Sequence, residues 1–207
     1  MDNKPINDAE ALPWPRKGGT LFDSADDWYH NACVNWLPDG WDAYAIGYKR
    51  AGDILVGHVV DTHRDMDTIV FPIVFNYRQY IELRLKGLIR DGRRLLDEQE
   101  PFPPTHNLQK LWSTCRDLIF KIEPNNSDAD IEAVDEAIEQ FCFVDFGSDG
   151  FRYPVDRNGN PSLPDALRHI NLRQLRDAMD RLAAFLDAAS TMFSVYLDHK
   201  YEMEQDG

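Results

Sequence analysis

Few of the residues that would commit a chain to several familiar classes are present here. Three of the 207 residues are cysteine. Cys33, Cys115 and Cys142 stand far apart with no Cys-x-x-Cys spacing, which excludes a disulfide scaffold or a thiolate metal knuckle, so they read as reduced thiols at apolar positions. No run of 18 apolar residues occurs, and the first twenty residues hold acids and prolines instead of a basic start followed by an apolar stretch. The expectation is a cytoplasmic protein with no membrane segment. Positive charge is in deficit, with 22 Lys and Arg against 36 Asp and Glu and a formal net charge of -14. Such a field repels phosphates at long range and leaves nucleic acid only a local basic patch to bind. A Gly-rich phosphate loop, GxSxG and HExxH are all missing. His58, Asp61 and His63 would splay apart on a helix, so no metal and no cofactor is expected.

What is present is core material, at 43% hydrophobic and 12% aromatic residues, enough for one sizeable domain. The densest stretch is 70–115. At about 100° per residue, Val74, Tyr77, Ile81, Leu85 and Leu88 share one stripe and Ile73, Tyr80 and Leu83 cover much of the rest, so this helix is enclosed by neighbours. Arg78 falls inside the apolar arc and needs a partner, because an unpaired buried charge is prohibitive; Glu82 is four residues on and Lys86 four further. The pair reads either as a structural ion pair or as part of a site. Pro101, Pro103 and Pro104 end the helical pattern. Thr105 is the expected N-cap of the next helix, with His106 and Asn107 in its first turn, and the two helices are expected to run antiparallel as a core hairpin.

Elsewhere the chain reads as an N-terminal arm at 1–22, a single helical domain at 23–200 and a flexible tail at 201–207. Within the domain, Ser24 caps a helix with Trp28, Ala32 and Trp36 inward, stopped at Pro38-Asp39-Gly40. A helix at 41–63 buries Tyr44, Tyr48, Ala51, Leu55 and Val59 and carries Gly47, Gly52 and Gly57 as close-approach surfaces. An acidic helix spans 127–144, a turn or hairpin spans 151–163, and a long amphipathic helix spans 171–200. Asp156, Asn158 and Asn160 have part of a calcium-loop spacing, but Gly159 is one place early and Leu167 stands where the bidentate acid belongs.

Glu82-x-x-x-Lys86 on the central helix, His106-Asn107-Leu108 at the next helix start and Arg152-Tyr153-Pro154 before the last long helix resemble the HEPN superfamily of helical bundles, over residues 71–196. Asn107 departs from the acid usual there. The resemblance implies an all-α, up-and-down bundle of five or six helices, with an irregular N-terminal arm and a short turn or hairpin insertion. It also implies a homodimer and a bacterial defence or toxin–antitoxin setting. HEPN ribonucleases carry Arg, four to six residues, then His; no histidine of this chain has arginine at that spacing, and Arg50 to His58 misses with seven between. The expected role is therefore a non-catalytic binding or regulatory protein, with Arg78, Glu82, Lys86, Arg90, Arg93, His106, Arg152 and Tyr153 as candidate ligand-binding residues.

Two other readings stay open. His106 with Arg78 or Arg152 has the elements of a divergent metal-independent ribonuclease, a proton-transfer group and a cation for the phosphorane, although a histidine there is also a common helix-start residue. Arg84, Lys86, Arg90, Arg93 and Arg94 read either as a solvated helix end complementing the dipole or as a local site for a nucleotide or RNA. Eight acids and no base lie between 128 and 149, a solvated face or a dock for a basic protein partner or nucleic-acid-binding surface.

Overall fold

Residues 66–95 have apolar side chains on nearly every side of a 3.6-residue winding, and in the computed structural model they form the helix on which the bundle is built. Residues 14–15, 17–37, 39–124 and 128–205 are described. Among the described residues five helices run in chain order: α1 (Trp41–Thr62), α2 (Met66–Leu95), α3 (Leu108–Ile122), α4 (Asp128–Val144) and α5 (Leu172–Gln205). Among the described residues there is no strand, so the all-α bundle stands. Helices α1, α3 and α5 pack on α2, while α4 packs on α3 and more lightly on α5. Ile73, Tyr77, Ile81, Leu85 and Ile89 of α2 are fully buried, as expected for a central helix.

A three-residue link turns α1 back antiparallel along α2. His63 and Asp65 in it take left-handed backbone, at φ 56° and 60°, a conformation that His and Asp tolerate better than most residues. The buried line of α1 is Ala45, Gly52, Val56 and Val59, not the Tyr44–Tyr48–Ala51 stripe. Gly52 decides this. A Cβ there would stand 2.7 Å from the Tyr77 ring, so the small side of α1 faces α2 and Tyr44 is left exposed. Gly47 and Gly57 meet nothing, so only one of the three glycines serves close packing.

The expected hairpin of the second and third helices is corrected. His106, just before α3, lies beside Glu82, Leu118 faces Gly92, and Lys121 reaches Glu98 at 2.9 Å, so α3 runs parallel to α2. The proline-rich link makes that possible. It doubles back along α2, its backbone meeting Arg93 at Glu100 and its Phe102 ring lying 5.5 Å from Lys86, before α3 sets off again. An extended segment of that length reaches much farther than a tight turn. Asn107, not Thr105, caps α3: its side chain accepts from the Lys110 amide at 2.9 Å.

The expected first helix is absent. Its residues hold one 3-10 turn, Trp28–His30, with Trp28 and Trp36 70% and 69% exposed. A helix this short is marginal without a surface on which to bury its stripe. Contacts divide the chain into two units, Met1–Pro38 and Asp39–Gly207. Much of the expected arm, Ser127 and residues 206–207 lie outside the described residues; α5 continues through 201–205, where a tail was expected. The 151–163 turn is present, closed by a bridge between Val155 and Pro161. Asp156 accepts from the amides of Asn158 and Asn160 at 2.8 and 2.9 Å, so its carboxylate holds the turn itself.

Glycine replacements in α1 give opposite signs. Gly52→Ala should destabilise the fold by about 1–3 kcal/mol through overpacking against Tyr77. Exposed Gly47→Ala should stabilise it by up to about 1 kcal/mol. Urea midpoints of the two variants measure this directly.

Candidate functional site

Arg78 sits in the middle of α2 at 0% exposure, and Glu82 one turn later is at 2%. Arg78 donates to Glu82 Oε2 at 3.1 Å and to the backbone carbonyl of His106 at 2.5 Å. Its Nε lies 3.4 Å from the buried carboxylate of Asp145, within ion-pair reach though not hydrogen-bonded. One guanidinium thus ties α2 to the segment entering α3 and to the segment leaving α4. A planar fork with several fixed donors can do this where a lysine could not.

Glu82 gathers the rest. Lys86 Nζ donates to Oε1 at 2.7 Å, and His106 Nδ1 lies 2.8 Å from the same oxygen. Burial alone would push the Glu82 carboxyl up, but the hydrogen bonds and charges of Lys86 and His106 outweigh it and hold it below the ordinary 4.5. An ionised carboxylate only accepts, so the His106 ring donates from Nδ1 to Glu82 and turns its Nε2 edge away from that bond. The His106 side chain is 71% exposed. Chemically this is a solvent-facing imidazole oriented by a buried carboxylate.

Arg78, Glu82, Lys86 and His106 are therefore brought together. Arg152 and Tyr153 make no hydrogen bond or ion pair with them: exposed Arg152 stands over the Phe75 ring at 5.8 Å and the Tyr153 ring at 5.2 Å. Asp145 belongs to the cluster and was missed. Its only sequence signal is an acid directly after an amphipathic helix, which does not point to an arginine 67 positions earlier.

The basic series on α2 is matched to acids almost throughout. Arg84 pairs with Asp42 and Asp187; burial opposes its charge, and those two acids raise its pKa regardless. Arg90 pairs with Asp39 at 2.6 Å and Asp91 at 2.8 Å. Arg93 reaches Glu100 and the carbonyls of Glu100 and Pro101. Arg94, half-exposed, lies 3.7 Å from Asp91. Rings alternate with these cations: Arg90 over Trp41, Trp41 edge-on to Phe102 at 5.4 Å, and Lys86 over Phe102. The patch seals the returning link onto α1 and α2.

Comparison with known families, curated proteins and solved structures returns no match. A second polar ladder joins α1, α2 and α5: Tyr77 donates to Asp53 at 2.9 Å, Lys49 bridges Asp53 and Asp180, and Tyr80 and Arg84 share Asp187. Burial, with Asp53 and Asp187 respectively, raises the pKa of both tyrosines, so their hydroxyls act only as neutral donors. No group of three or more potential metal ligands converges among the described residues.

Truncating Arg78 to Ala should cost about 3–5 kcal/mol, the range for breaking a buried pair, and a melting curve checks it. Glu82 also sets a pH dependence. Its pKa is lower folded than unfolded, so the folded chain binds fewer protons through this group; its contribution is full above the unfolded value and is lost as pH falls through the folded one. Stability measured from pH 6 down to pH 3 should fall less steeply in Glu82→Gln than in the wild type, starting from a lower value.

Proposed function

We propose that the protein is a non-catalytic binding or regulatory component on a HEPN-like bundle, acting through protein contacts. The observation that carries this reading is the commitment of the cations around His106. Arg78 is sealed from solvent and Lys86 is held by Glu82, so neither is presented to a phosphate. The remaining arginines of α2 face acids of their own. A bacterial defence or toxin–antitoxin setting follows from the resemblance of Glu82, Lys86, His106 and Arg152-Tyr153-Pro154 to that superfamily.

Two surfaces support contact with protein. The outer side of α1 exposes Tyr44, Ile46 and Ile54, and Gly47 and Gly57 leave it flat enough for a second helix to approach, consistent with a homodimer. Phe143 and Phe146 stand exposed among the acids that end α4, a combination suited to a basic partner.

The divergent ribonuclease remains as a second reading, favoured by one feature: the exposed His106 ring with the Glu82 carboxylate behind it. A gel assay with single-stranded RNA separates the two. The wild type should not cleave above background, and His106→Ala should alter stability or partner binding only. Cleavage that disappears in His106→Ala would replace the binding role with the enzyme. Sedimentation at micromolar concentration should give about twice the 23.9 kDa chain mass; a persistent monomer would remove the α1 dimer.

A further inference from the structure

An open cleft of about 610 Å³ lies where the α1–α2 turn, the segment before α5 and the first turn of α5 meet. It shares no lining residue with the Arg78 cluster. Val59, Val70 and Phe151 form an apolar floor, continued by Val60 and Ile170. The Phe71 and Phe151 rings lie 6.5 Å apart at its edge, and Phe71 remains 43% exposed. The segment that could fill the cleft is folded on itself: Asp156 and the Val155–Pro161 bridge hold its turn closed. Leu163, Leu167 and Ile170, which follow that turn, line the cleft. A volume in this range, with apolar walls and a few polar groups, is that of a small-molecule site.

The formal charges that line the cleft are two arginines against one acid. Arg168, Arg173, His63 and His169 line the cleft, with Asp67 as the one lining acid. In a chain of net charge -14 whose α2 arginines all find carboxylates, Arg168 and Arg173 form no ion pair with any described residue. The backbone amides of Arg173 and Gln174 are already taken by the Asn171 side chain, at 3.1 Å each. An anion here would therefore be held by the arginine side chains, beside an apolar floor.

The geometry points to a binding site for an acyl-type amphiphile bearing one carboxylate, its tail on the Val59–Val70–Phe151 floor and its head at Arg168 and Arg173. Titration calorimetry of the full chain with decanoate, below its micelle concentration, should show one saturable site. Decyltrimethylammonium, with the same tail and the opposite charge, should bind at least about tenfold more weakly. The Arg168→Ala/Arg173→Ala double variant, at exposed positions, should lose about tenfold in decanoate affinity, a scale set by one good charged contact. The charge-matched Arg50→Ala/Arg181→Ala variant should not. Val60→Trp, which fills the cleft, should abolish binding while the far-ultraviolet dichroism stays helical; should that variant not fold, the two arginine doubles still decide. Equal affinity for the two amphiphiles, equal losses in the two arginine doubles, or no saturable decanoate binding would each overturn the assignment.

Discussion

Arg78 has no water to lean on. A guanidinium at 0% exposure in the middle of the most enclosed helix must find its stabilisation inside the protein, since desolvating an uncompensated ion costs several kcal/mol or more. It finds Glu82 on its own helix, the His106 carbonyl before α3 and Asp145 after α4. The last two of these fix where α3 begins and where α4 ends. With Lys86 also on Glu82, two buried or nearly buried cations meet two buried carboxylates, so the cluster is close to neutral. The path of the link between α2 and α3 follows from the same constraint. It must return along α2 to bring His106 to Arg78, and that return makes α3 parallel to α2.

The cost of that arrangement shows in what the surrounding charges can still do. Cations that a linear reading groups into a patch are, in space, matched to acids of α1 and the residues before it, of α2 itself, of α5 and of the link. Asp42, Asp187 and Asp39 lie far from their arginines in sequence with no spacing that marks them, whereas Asp91 stands three residues before Arg94 on the same helix. The acids so consumed account for part of a large negative charge, and the groups left over differ in kind from those expected. They include an imidazole presented by a buried carboxylate, exposed aromatics at the end of α4, and two arginines beside an apolar cleft.

The legible parts of the fold were those governed by short-range periodicity. Winding at 3.6 residues identified the enclosed central helix, the acidic helix that is α4 and the amphipathic α5, and the i, i+4 step identified Arg78 with Glu82. What was not legible depended on distance in sequence. Nothing local says that a proline-rich link runs back instead of turning over, or that Asp145 answers Arg78. The rotation of α1 came from one glycine meeting one tyrosine ring across helices, an event invisible to an apolar count along α1 alone. The supposed first helix failed for the complementary reason: Trp28 and Trp36 have helical spacing, but spacing without a surface to cover carries little stability. At Asn107 the departure from the usual acid is physically mild, since Asn and Asp cap helices about equally well.

The central claim is that Arg78 and Glu82 stabilise one another inside the bundle, more than either contributes alone. A double-mutant cycle of Arg78→Met, Glu82→Leu and the combined variant, read by urea unfolding, measures that coupling directly. Each single change takes from the remaining side chain the partner one turn away, whereas the double change removes the pair together; the loss of Arg78 by Asp145 and of Glu82 by Lys86 occurs in a single variant and again in the double, so it cancels in the cycle. The combined variant should therefore be more stable than the sum of the two losses predicts, by about 1–3 kcal/mol. Strict additivity would show that the two side chains do not depend on each other, and would contradict the account.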